Sequence, residues 1–173
     1  SKETKVDILV TPTVTILAGI GIASVIAAPI GAAAKAVGQA IMWATELQPF
    51  FMGMFVSAII GIALTLPISS AAICAALSLT GLAGGAAVAG CCAHMVGFAV
   101  MSFKENGWAG LIAQGLGTSM LQIPNVMRNP KILIPPVVAS AVCGPLATCL
   151  FGLKCGATGG GMGTAGLVGV FST

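Results

Sequence analysis

Long apolar runs alternate along the chain with short breaks marked by proline, glycine and hydroxyl residues. The run from Leu47 to Leu79 is apolar almost throughout, yet it is interrupted at Leu66-Pro67-Ile68-Ser69-Ser70. Proline removes a backbone donor, and its ring displaces the carbonyl one turn earlier. At membrane depth such a break is tolerated only where protein or a water-filled cavity covers the freed polar groups. Broken apolar segments of this kind are the sequence pointer to a transporter's binding site.

The remaining elements come from the same pattern. The N-terminal stretch Ser1 to Asp7 concentrates charge and is expected at the water interface. A span needs about 20 predominantly apolar residues, and Val10 to Ile30 supplies them, with Pro12 in its first turn and Pro29 near its end. Ala32 to Leu47 predicts an amphipathic helix in which Lys35, Gln39 and Glu46 share one face. Val37, Ile41 and Ala44 point away from that face, and Trp43 suits a headgroup anchor. Pro49 to Leu66 forms a second span, after which Ser69 and Ser70 can cap the next helix. Ala71 to Leu82, at about 12 residues, is expected to be re-entrant rather than spanning.

Ala83 to Phe103 is a third span, closed by a surface turn at Lys104 to Trp108. Ala109 to Ile123 is short for a span and dense in side-chain hydrogen-bonding groups, which predicts a re-entrant or cavity-lining element. Pro124 to Lys131 reads as a polar loop, and its Arg128 and Lys131 place it in the cytoplasm by the positive-inside rule. Ile132 to Leu153 is the last full span, after which comes the glycine-rich break Ala157 to Gly166. The pattern predicts an all-α integral membrane protein, a polytopic helical bundle with re-entrant and broken helices. Residues 1–173 are read as a single membrane domain, expected to be part of a longer protein because Ser1 is not a methionine and the chain stops as a new apolar run begins.

Composition supports lipid as the solvent. The 173 residues are 57% hydrophobic and only 6% charged, against about 25% charged in a soluble domain. Mean hydropathy is +1.08. The 24 glycines favour close helix approach, which drives association in lipid. The net charge of +3 is scattered, so no nucleic-acid footprint is present. Six cysteines form no CxxC pair and are read as small packing residues, and no cofactor or metal is expected. No P-loop, HExxH or GxSxG motif occurs.

What remains is a set of polar residues around helix breaks: Glu46, Gln48, Thr65, Ser69, Ser70, His94, Gln114, Thr118, Ser119, Gln122 and Asn125. Carboxylate, amide and hydroxyl groups are the chemistry that holds a small polar, hydroxyl-rich solute. Two readings of His94 stand side by side, a packed core residue and a functional ionisable group inside a span. Glu46 is likewise read either as an interfacial residue or as a cavity-facing carboxylate. Two internal echoes also occur. Ser57, Ala58, Gly61 and Thr65 return as Ser140, Ala141, Gly144 and Thr148, and Gly115-Leu-Gly-Thr118 returns as Gly161-Met-Gly-Thr164.

The segments QPFFMG, LTLPISSAAI, GLAGGAA, GFAVMSF, AQGLGTSMLQIPN, NPKI and GGGMGTAGLVG occur in that order. Together they resemble the membrane IIC family of the bacterial phosphotransferase system, and within it the stand-alone IIC-like branch. The resemblance implies a multi-pass homodimer of the bacterial inner membrane with re-entrant hairpins around a substrate site. It also implies translocation of a sugar that a cytosolic IIB-like partner phosphorylates, so the chain itself is not expected to be catalytic. The alternative is a membrane-embedded regulator or sensor that keeps a transporter-like fold and binds a ligand or partner without transport.

Overall fold

A computed structural model describes residues 7–173, with side chains described except at residues 7–11, 22–28 and 30. The N-terminal charged stretch and part of the first expected span lie outside the described side chains. Helix α1, Asp7–Leu47, is one helix of 41 residues with Pro12 and Pro29 inside it. Two separate elements were expected here. The helix continues through Pro29, and the amphipathic face lies in its second half. Lys35, Gln39 and Glu46 are exposed there, while Gly38 and Thr45 are buried and Ile41 is half-buried.

Helix α2, Pro49–Thr65, begins on a first-turn proline, whose missing N–H has no intrahelical partner to lose. It ends where Leu66 turns extended ahead of Pro67. Ser69 then caps α3, Ser70–Ala76, by accepting the Ala72 N–H at 3.2 Å. Left-handed Ser78 and Gly81 redirect the chain into α4, Gly81–Met101.

The relative direction of these helices organises the rest. Gly90 sits on the Ser57 backbone, and Gly61 packs on the His94 ring one turn further along both helices, so α2 and α4 run parallel. The chain from Leu66 to Thr80 must therefore travel back along α2. Cys74 and Leu79 do so, packing with Val56 and Ile60 of α2 in the main apolar cluster. Thr80 reaches α1 through Met42 Sδ at 3.4 Å.

After α4, α5 (Phe103–Ile112) bends at left-handed Gly107 and leads into a wide turn at Ala113–Gly117. Thr118 is extended, Ser119–Gln122 forms a tight turn, and α6, Ile123–Arg128, carries the chain away. Gly115 lies against Ala99 of α4. A loop was expected over Pro124 to Lys131. The helix forms instead because Pro124 occupies its first turn, and Asn129 then accepts the Lys131 N–H to start the next turn.

Helix α7, Ile134–Pro145, widens into a looser turn at Leu146–Leu150 after Pro145. It runs antiparallel to α2. Ser57 donates to the Ser140 carbonyl at 2.6 Å, Gly144 meets Gly53, and Thr148 donates to the Pro49 carbonyl at 2.8 Å. One internal echo is thereby explained in part, because Ser57 and Ser140 are partners across this seam. Ser57→Ala is expected to cost about 1 kcal/mol, seen as a lower thermal midpoint of the protein in detergent.

The C-terminal segment folds along α4. Cys155 N–H donates to the Gly81 carbonyl at 3.2 Å, Gly160 lies by Gly84 and Ala87, and Gly163 lies on Cys91. Helix α8, Ala157–Gly160, belongs to this approach. After Thr164 the chain turns through Ala165–Leu167 into α9, Val168–Phe171. Gly169 then meets Gly163, and Ser172 meets Gly159, so residues 153–172 form a hairpin. Among the described residues the fold is helical, with a single isolated bridge between Gly81 and Cys155. Two stretches of 21 residues, Gly81–Met101 and Pro130–Leu150, are long and apolar enough to cross a membrane. Phe50, Phe51, Phe55, Val138, Val142 and Leu150 present a large exposed apolar face on α2 and α7.

Candidate functional site

The core between α2 and α4 mixes small residues such as Ala83, Ala86, Ala87 and Cys91 with Val56, Ile60, Met95 and Phe98, and a polar group is set into it. His94 is fully buried on α4. It lies beside Thr65, the last residue of α2, with Nδ1 3.1 Å from the Thr65 hydroxyl. That hydroxyl also donates to the Gly61 carbonyl at 3.2 Å and lies 3.4 Å from Ser119 Oγ. Ser119 is held there because Thr118 breaks the preceding turn, its side chain accepting the Met120 N–H at 3.1 Å.

His94 Nε2 has no hydrogen-bond partner among the described residues. It faces Gly61, where a Cβ would stand 2.8 Å from Nε2. Glycine at that position is what lets the imidazole lie flat between the helices. With Thr65 donating to Gly61, the Nδ1–H form of His94 completes the pair and leaves Nε2 as a bare acceptor. A buried polar atom left unpaired costs about 1–3 kcal/mol.

A second polar chain adjoins the first. Asn125 donates to Gln122 Oε1 at 2.7 Å, and Gln122 donates to Gln114 Oε1 at 3.0 Å. Gln114 and Gln122 are buried, while Asn125 reaches the surface. The chain opens into a cavity of about 420 Å³ lined by Phe98, Ser102, Glu105, Gln122, Asn125 and Arg128, among others. Phe98 joins the two groups, since it lines the cavity and meets the His94 ring edge-on at 6.1 Å.

Seven of the residues expected from sequence therefore lie together: Thr65, His94, Gln114, Thr118, Ser119, Gln122 and Asn125. The other four lie elsewhere. Glu46 and Gln48 are exposed at the α1–α2 junction, about 24 Å from Thr65 by helix rise. Ser69 caps α3, and Ser70 donates to the Gly161 carbonyl at 2.6 Å, tying the break in the chain to the C-terminal hairpin. Sequence reasoning missed Ser102, Glu105 and Arg128 as cavity walls. The available signal was that Glu105 is the last acid in the chain and Arg128 its one arginine, flanking the amide-rich segment.

The family comparison fits this arrangement. The family model described as "Phosphotransferase system, EIIC" matches residues 1–173. The chain belongs to this EIIC family. An EIIC chain is a membrane transport component of a bacterial phosphotransferase system, and the apolar exterior and buried polar interior suit that role. No curated protein and no solved structure matches the chain.

Proposed function

We propose that this EIIC chain is the membrane domain, within a longer IIC-like protein, that binds and translocates a small hydroxyl-rich solute, a sugar above all. In this reading it is multi-pass in the bacterial inner membrane and works as a homodimer with a cytosolic IIB-like partner that carries out phosphorylation. The solute sits in the cavity against Gln122, Asn125 and Glu105, with His94, Thr65 and Ser119 fixing the inner wall. The hairpins at residues 107–128 and 153–172 are re-entrant.

One observation carries the reading. Two hydrogen-bonded polar groups, a buried hydroxyl–imidazole set and an amide chain that opens into a cavity, are brought together by the Ser119–Gln122 turn in a core otherwise apolar. Amides offer both donor and acceptor to a sugar hydroxyl, and a carboxylate accepts two at once. The cavity falls within the ordinary range for small-molecule sites, about 300–1,000 Å³.

The test is a thermal-shift panel of hexoses, hexitols, hexosamines and disaccharides on the purified protein. At 100 times the dissociation constant a ligand adds about 2.7 kcal/mol to apparent stability. At least one member is expected to shift the wild type and to lose its effect in Gln122→Ala. A shift retained in full by Gln122→Ala, or no shift from any sugar class, contradicts the proposal.

A further inference from the structure

The second internal echo gains a structural meaning here. Gly115-Leu-Gly-Thr118 lies at the inner end of the hairpin 107–128, and Gly161-Met-Gly-Thr164 lies at the inner end of the hairpin 153–172. The first hairpin approaches along α4 from its Met101 end, where Gly115 meets Ala99. The second approaches from the Gly81 end, advancing past Gly84 and Cys91 to Met95. The two inner ends meet where Thr164 Oγ1 donates to the Gly115 carbonyl at 2.5 Å.

The two threonines of the echo do different work. Thr118 accepts the Met120 N–H, which ends its own turn and leaves the Gly115 carbonyl to be met from outside. Thr164 is the group that meets it, with Met95 Sδ also at 3.3 Å. Gly163 is buried on Cys91 and Gly169 on Gly163, while the stretch between them is open. Gly163, Gly166 and Leu167 all have left-handed backbone, and Gly166, Leu167 and Val168 are exposed. Few buried contacts around a strained turn mark a segment that opens locally at low cost.

We propose that Thr164 is a hydroxyl latch between the two hairpin tips. Closed, it separates the polar group around His94 from the Gly81 end of the molecule. Opened, it lifts residues 163–168 off α4 and gives the solute its second way out. The latch deepens the transport reading of the site, but its test needs no solute, so either can fail without the other.

Cys91 is a native reporter, being fully buried directly beneath Gly163, with Sγ 3.8 Å from the Gly160 carbonyl. The experiment measures N-ethylmaleimide modification of Cys91 by peptide mass mapping, on the full chain in lipid nanodiscs. Buried Cys74, which shares the apolar cluster with Cys91 but lies on α3, is monitored in parallel. Thr164→Val removes the hydroxyl at similar volume and is expected to raise the Cys91 rate about tenfold, leaving Cys74 protected. Thr164→Ser keeps the hydroxyl and is expected to match the wild type. Unchanged Cys91 protection in Thr164→Val overturns the latch. So does equal acceleration in Thr164→Ser, which would assign the position to packing, and so does equal acceleration of Cys74 and Cys91, because the latch is local.

Discussion

Gly90→Leu is expected to prevent assembly of the helix pair on which the site is built. A Cβ at Gly90 would fall on the Ser57 carbonyl and stand 2.8 Å from the Ser57 Cα. The obstructing atoms are backbone, so no rotamer change relieves the clash, and α2 as a whole must move off α4. Overpacking a fitted core costs about 1–3 kcal/mol and occasionally more. Displacing α2 also separates Thr65 from His94, which are 3.1 Å apart. The expected loss is therefore roughly 3 kcal/mol or more. It is read as loss of the monodisperse folded species by fluorescence size-exclusion in detergent. Gly97→Ala is the matched control. Its Cβ would meet the Pro136 ring at 3.5 Å, an ordinary contact. Glycine in a helix interior is also about 1 kcal/mol worse than alanine. That variant should be as stable as the wild type or slightly more so. Equal tolerance of both substitutions would show that α2 and α4 are not in close backbone contact at Ser57.

The second large effect separates stability from binding. His94→Leu removes a buried nitrogen that has no partner among the described residues. Thr65 keeps its bond to the Gly61 carbonyl and its neighbour Ser119. The thermal midpoint is therefore expected to hold or rise, against the usual direction for a core substitution. Solute binding is expected to weaken about tenfold or more, because Phe98, which lines the cavity, loses the imidazole it packs against edge-on. A protein that is strongly destabilised yet binds normally would make His94 a packing residue, the first of its two sequence readings.

The sequence made the class of fold legible because lipid imposes a severe composition. The break at Leu66–Ser70 was legible because proline and paired serines have few other uses inside an apolar run. The interruption between Ala109 and Ile123 was visible for a related reason, since Gln114, Ser119 and Gln122 are costly in lipid unless they face protein. Their pairing into one chain was not visible, because it depends on Thr118 reversing the backbone so that Gln122 reaches Gln114. Ser69 and Ser70 show the limit of reasoning from residue type. Both have hydroxyls fit for a ligand, but one caps a helix and the other holds a distant carbonyl. Glu105 and Arg128 escaped notice because charges at span ends are ordinary, and only the fold brings them to one cavity. The echoes were legible as patterns, but their meaning needed helix directions. Ser57 and Ser140 meet because α2 and α7 are antiparallel, and Gly115 and Thr164 meet because two hairpins end at one point.

The central claim is that the amide chain beside His94 forms the path of a transported solute. It is tested most directly by uptake of the radiolabelled sugar that stabilises the protein, in cells making either the wild type or Gln114→Leu/Gln122→Leu. Replacing both partners of a buried hydrogen bond with apolar groups of similar size is nearly neutral for folding, so equal amounts of folded protein are expected in the membrane. The predicted result is accumulation by the wild type and background uptake by the double variant. Undiminished uptake by the double variant would contradict the account. So would a wild type that binds the sugar and moves none of it, which is the behaviour of a membrane sensor.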